Sequence, residues 1–284
     1  MKKIAYFFVL VLLITGCDVI EEPIIPFNIN YNADAYGPAP TFSAPVNTSR
    51  NALVEDFTAH QCGNCPPAAV IATSIQTSNP EGRVSVVAVH AGSLAVTNSD
   101  YPTDWTTADG DIFWNQLGFQ ANPLGRVNRK NGVENFYAPD QWADAAADIL
   151  AQDGIVNLQM IANYIQEDNV LNVHVNGQFA GAFNGTTKLT VLITESHIFD
   201  NQLDYGSDPE HIEDYEFNHT LRGSISGALG LVFSENANTG DEIQKNFTFQ
   251  WNDEWVPENC SAVAFVSDDS DGEILNVVEH HLGE

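Results

Sequence analysis

Cys62 and Cys65, separated only by Gly63 and Asn64, are the residues whose type and spacing promise chemistry. Such a pair closes into a small redox-active disulfide or supplies half of a metal site. The surroundings favour redox chemistry. Ala52 to Thr58 is a short, mostly apolar run of the kind buried in an α/β sheet. Pro66 and Pro67 fit the first turn of a helix, where a missing N–H costs nothing, and good helix formers continue to Gln76. The pair therefore sits where a strand turns into a helix, and free N–H groups together with the helix dipole favour a thiolate on the first cysteine. Cys62 is expected as the exposed nucleophile and Cys65 as the resolving partner. Asp56 precedes them on the buried strand, placed to accept or deliver the resolving thiol's proton once burial raises its pKa. Zinc is disfavoured because no second cysteine pair accompanies the first. No metal and no organic cofactor are expected.

Further elements must position this turn. Val84 to His90 is a continuous apolar run, predicted as a second parallel strand. Its last residue, His90, falls at the carboxyl edge of the sheet, where the cysteine turn must also lie, and is a candidate for tuning the thiolate or handling a proton. His60 either does the same or points to solvent. Residues 92–107 form a loop with Tyr101 and Trp105, and a helix is predicted over 108–117 with Trp114; these aromatics wall the redox site or pack in a core. Arg126, Arg129 and Lys130 cluster although the chain has only ten Lys and Arg residues. They either stabilise a thiolate beside the disulfide or face outward after a hairpin. An amphipathic helix over 139–152 closes this part at Gly154.

The pattern of a strand ending in Asp56-Phe57, then Cys62-x-x-Cys65-Pro66 at a helix start, resembles thioredoxin-like proteins. The resemblance implies an α/β thioredoxin-like domain over residues 49–153, with Asp56 as the family's buried aspartate and Pro123 as its cis-proline against the disulfide. Gln61 stands where an aromatic residue is usual, Gly-Asn replaces Gly-Pro, and Asn122 precedes the proline; these departures bear on redox potential and substrate choice. More closely, residues 55–67, 122–129 and 215–222 are similar to the twenty-eight-kilodalton outer-membrane-protein-related lipoproteins of Gram-negative bacteria. That likeness implies an envelope lipoprotein with a β-rich partner to the thioredoxin-like part.

From Ile155 the hydrophobic period changes to two, with Val156, Leu158 and Met160, then Leu171, Val173 and Val175, then Leu189, Val191 and Ile193. Asn169, Asn184-Gly185, Asn238 to Gly240 and Asp271-Gly272 supply turns. Residues 155–284 are thus expected as an all-β, immunoglobulin-like sandwich serving recognition, spacing or dimerisation. Cys260 opens an apolar run and is expected as a packed thiol. The acidic, histidine-containing stretch 197–219 lacks metal-ligand spacing, and 268–273 reads as a hairpin turn.

At the amino end, Lys2 and Lys3 precede an apolar run too short to span a membrane comfortably, followed by Ile14-Thr15-Gly16-Cys17. The resemblance to bacterial lipoprotein signals implies cleavage of residues 1–16 and acylation of Cys17, which would anchor the protein to a membrane. Residues 17–48, rich in proline and polar residues, form a flexible tether. The net charge of −28 excludes nucleic acid as a partner by repulsion. The leading expectation is thiol–disulfide exchange with protein thiols or disulfides, by an outer-membrane lipoprotein that is periplasmic or surface-exposed. The alternative is a surface-exposed binding or adhesion lipoprotein with an unknown extracytoplasmic partner, its disulfide only structural.

Overall fold

In the computed structural model, which describes residues 30–45 and 49–283, strand outweighs helix. A single helical turn, Ala33–Tyr36 (α1), precedes the first strand. The apolar runs flanking the cysteine turn form Ala52–Thr58 (β1) and Val84–His90 (β2), parallel and buried throughout. Cys65–Thr77 (α2) crosses between them. Ala108–Asn115 (α3) is capped by the Thr107 hydroxyl, which accepts from the Gly110 amide. Leu124–Val127 (β3) then pairs antiparallel with the free side of β1. Trp142–Leu150 (α4) follows a 3-10 turn at Pro139–Gln141 and is shorter than the 139–152 helix expected.

Alternation along β1 decides what each face of the sheet does. Ala52 and Val54 face α2 and α4, packing against Ala68, Ala72, Trp142 and Ile149. Leu53 and Phe57 point the other way, onto Phe113, Leu192, Val263 and Phe265.

The second half alternates as its period of two demands. It comprises Val156–Ile165 (β4), Val170–Phe179 (β5), Phe183–Glu195 (β6), Ile198–Leu203 (β7), His211–Phe217 (β8), Thr220–Ser224 (β9), Leu231–Ala237 (β10), Glu242–Gln250 (β11), Cys260–Asp268 (β12) and Ile274–His281 (β13). One sheet runs β13-β12-β6-β9-β2-β1-β3, with β10 also on β6. A second runs β11-β5-β4, and β7 with β8 forms a separate hairpin. Inward residues of the first two sheets, among them Leu171, Val173, Val191, Ile193, Ala262 and Ala264, close a core completed by Phe233 and Trp251.

Residues on both sides of Gly154 share one sheet and one core. The join is narrow: Ala88 of β2 pairs with Thr220 of β9, and the Ala88 amide donates to the His219 carbonyl at 2.8 Å. Asn184-Gly185 is not a turn. It lies inside β6 opposite β10, where the ladder slips register and Gly185 takes φ +134° to absorb the irregularity. The other three turns join β4 to β5, β10 to β11 and β12 to β13. Cys260 is a free, fully buried thiol whose pKa burial raises.

Of the expected tether, residues 30–45 bury no side chain but dock on β11. The Tyr31 amide donates to Asn246 O at 3.3 Å, and Gln244 Nε2 donates to Pro40 O at 3.0 Å. The signal segment 1–16, the acylation candidate Cys17 and residues 18–29 lie outside the described residues. No helix among the described residues is long and apolar enough to cross a membrane.

Candidate functional site

The cysteine turn forms where strand gives way to helix. A disulfide joins Cys62 to Cys65. The Cys62 amide donates to Ala59 O and the Cys65 amide to Cys62 O, each at 3.0 Å. Because the Cys65 N–H is spent inside the turn and Pro66 and Pro67 have none, the start of α2 offers fewer free donors to a thiolate than expected. The helix dipole remains.

Cys62 is not exposed. It is 3% accessible and Cys65 is 2% accessible; both pack with Ala59 and with Ala95 of the 92–107 loop, and the β7–β8 hairpin of the second half is bonded to the turn. The Leu203 amide donates to His60 O at 2.8 Å, and the Tyr205 amide donates to Gly63 O at 2.9 Å. Gln202, itself buried, donates through Nε2 to Cys62 O at 3.2 Å. The Tyr205 ring lies so close over the turn that a Cβ at position 63 would come within 2.6 Å of it. A side chain between the cysteines would therefore displace the Tyr205 ring. On the other side Gln61 binds the 92–107 loop, donating to Val96 O and accepting from Asn98 Nδ2.

Asp56 lies on the α2 face of β1 and lines a cavity together with Cys65. It is 2% exposed, its Oδ1 has no partner among the described residues, and burial pushes its pKa up to about 7. His90 lines the same cavity from the end of β2, with neither ring nitrogen partnered. Burial chiefly, then the charges of His60 and Arg222, lowers its pKa to about 3, so its ring is neutral at physiological pH. Tyr215 of β8 reaches the cavity, its phenol pushed up to about 12 by burial and then by Asp56.

His60 does not point to solvent. It is buried, with Nε2 at 3.2 Å from Val96 O, and stacks on Tyr101, which stacks in turn on His211 of β8. Trp105 lies against Phe217 with His90 nearby, whereas Trp114 packs toward Phe57 and the main core. Tyr101 and Trp105 thus wall the site and Trp114 does not. The Asn122–Pro123 bond is cis, and Asn122 Nδ2 donates to Thr58 O at 3.1 Å, tying that loop to the end of β1.

The basic cluster serves a different face. Arg126 and Arg129 neither face outward nor accompany the cavity that holds Asp56 and Cys65. Both are buried on Glu55, at 2.9 and 2.7 Å, on the side of β1 away from Asp56. Burial alone would raise the Glu55 pKa, but the two guanidiniums hold it down at about 2. Arg129 stacks over Phe113 and Phe265, and so clamps the first unit to β12. Lys130 pairs with Asp148, at 3.4 Å. The available signal was Glu55 beside Asp56 on a fully buried strand, since neighbouring carboxylates there must face opposite ways and one of them must find cations. Gln202 and Tyr205 carried no comparable signal, because they meet the turn across about 140 residues of chain.

Comparison with known proteins bears on the whole assembly. The family model described as outer membrane protein Omp28 matches residues 111–284, a span that begins after the cysteine turn and includes the covering hairpin. HBP35 of Porphyromonas gingivalis is similar in fold, with a TM-score of 0.61 at 18% identity, covering 84% of this chain and 77% of that one. A domain of the outer membrane lipoprotein Omp28 from the same organism matches at a TM-score of 0.32 and 22% identity, over 45% of this chain and 88% of that one. No curated protein matches the chain. With more than half of its length matched by that family model, the chain belongs to the outer membrane protein Omp28 family.

Proposed function

We propose that this protein is an envelope lipoprotein that exchanges thiols and disulfides through Cys62 and Cys65, in a thioredoxin-like unit carried by an immunoglobulin-like sandwich. The observation that carries the reading is the pairing of a disulfide at a helix start with a buried, unpartnered carboxyl lining the same cavity, its pKa near neutrality. A structural staple needs no such carboxyl, which burial without a partner makes costly. In the reducing direction the Cys62 thiolate attacks a client disulfide and expels one client thiolate. Asp56 then takes the Cys65 proton, Cys65 attacks the Cys62 sulfur, and the second client thiolate leaves. Two electrons pass to the client and the Cys62–Cys65 bond forms. The oxidising direction is the reverse. Pro123 presents the client backbone, and His90 stays neutral beside the carboxyl. Thiolate chemistry requires no organic cofactor. Cys17 would carry the lipid anchor, with the protein facing the periplasm or the exterior.

One observation favours a second reading, a binding lipoprotein with an inert disulfide: both cysteines are buried, and the β7–β8 hairpin is bonded to the turn through His60 O, Cys62 O and Gly63 O. The two readings separate in an exchange assay on a disulfide-bonded model protein with dithiothreitol as electron source. The exchange reading expects turnover that Cys62→Ser abolishes. Turnover unchanged in Cys62→Ser, or none above the dithiothreitol background in the parent, overturns it.

A further inference from the structure

The cavity between α2 and β8 has more in it than a proton relay needs. It encloses about 320 Å³, at the lower end of the range of small-ligand sites. Its walls are mixed but more apolar than polar, with Pro66, Ala69 and Val70 beside Thr73 on the α2 side and Phe217 on the other. Its floor carries Asp56 and His90, each 2% exposed, with one carboxyl oxygen and both imidazole nitrogens lacking any partner among the described residues. Buried polar groups almost always have a partner, so two side chains with unused hydrogen-bonding capacity on one cavity floor point to a guest that supplies a donor and an acceptor once their ends turn toward it.

Charge narrows its nature. Burial favours the uncharged form of both floor residues, raising Asp56 and lowering His90. His219 at the margin is likewise lowered by burial, and Arg222, whose charge reaches His90, is paired with Glu195 at 3.3 Å, so no lining residue among those described offers a cation to an anionic guest. The acidic residue at the rim, Glu216, is already engaged by His197 Nδ1 at 2.6 Å, so it does not solicit a cationic guest. We propose that this cavity binds a small uncharged molecule with an apolar body and one hydrogen-bonding head, seated on Asp56 and His90. The site goes beyond the exchange reading and does not depend on it.

The test uses three probes of one shape and different charge, benzyl alcohol, benzoate and benzylamine, titrated into the oxidised protein at about pH 5.5, where Asp56 is protonated and His90 neutral, while the His90 ring resonances are followed by NMR. Benzyl alcohol should saturate a single site and shift those resonances, with the two charged probes binding at least about tenfold more weakly. Ala69→Trp and Thr73→Trp fill the cavity from the accessible side of α2, and either folded variant should lose the benzyl alcohol response. No saturable shift with benzyl alcohol, equal binding of a charged probe, or parent-like binding in the folded tryptophan variants would overturn the proposal. Binding is read on the oxidised protein, so an inert disulfide would leave this result standing.

Discussion

Asp56→Asn should stabilise the protein, and by an amount that grows with pH. The carboxyl is buried without a partner, and its pKa rises from 3.8 in the open chain to about 7 in the fold. The folded state therefore holds the proton more tightly than the unfolded state. Stability from this residue is complete below about pH 3.8, falls as pH rises through the interval up to 7, and is constant above it. Three pKa units correspond to about 4 kcal/mol at about pH 8, and the loss at about pH 5 is about 2 kcal/mol. The amide has no charged form, so its contribution is flat. Any fixed penalty from fitting the amide cancels when the advantage of Asp56→Asn at the lower pH is subtracted from that at the higher. Denaturant unfolding of both oxidised proteins at these two pH values measures this difference, which should be about 2 kcal/mol in favour of the variant at higher pH. A difference below about 0.5 kcal/mol would mean that Asp56 is solvated or paired, and the proton-relay argument would fall with it.

Two further outcomes test the frame around the site. Glu55→Gln strands two buried guanidiniums and should cost about 3–5 kcal/mol, lowering the melting temperature by roughly 10 °C; a shift under about 2 °C would show that water reaches the cluster. Tyr205→Ala removes the ring lying on Gly63 without touching the backbone bonds of the hairpin, and should speed reduction of Cys62–Cys65 by dithiothreitol roughly tenfold, the equivalent of about 1.4 kcal/mol of cover. An unchanged rate would assign the protection to the hairpin backbone and Gln202 instead.

Local signals were legible and long-range ones were not. The runs Ala52 to Thr58 and Val84 to His90 form strands at the expected boundaries because continuous β-branched and apolar residues suit a sheet buried on both faces. Pro66 and Pro67 marked the start of α2 for the reason that makes proline tolerable there. Asp56 was legible because strand alternation puts it on the helix face. Cys62 is buried rather than exposed for reasons the local sequence does not carry: the hairpin bonded to its turn lies far along the chain, and those hydrogen bonds run to backbone carbonyls of residues 60, 62 and 63 and leave no side-chain signature there. Arg126 and Arg129 were read by proximity to Pro123, when the deciding fact was the direction of Glu55. The period of two located the β-rich half but not the continuity of its sheet with β2, which rests on a single ladder pair.

The most direct test of the exchange reading is the reduction potential of Cys62–Cys65, obtained by equilibrating the protein in glutathione and dithiothreitol buffers and trapping free thiols. Exchange with client proteins predicts a value within about −270 to −120 mV, the span of known exchange proteins, and the value itself gives the direction of electron flow. A potential below about −300 mV would identify a structural staple and contradict the account.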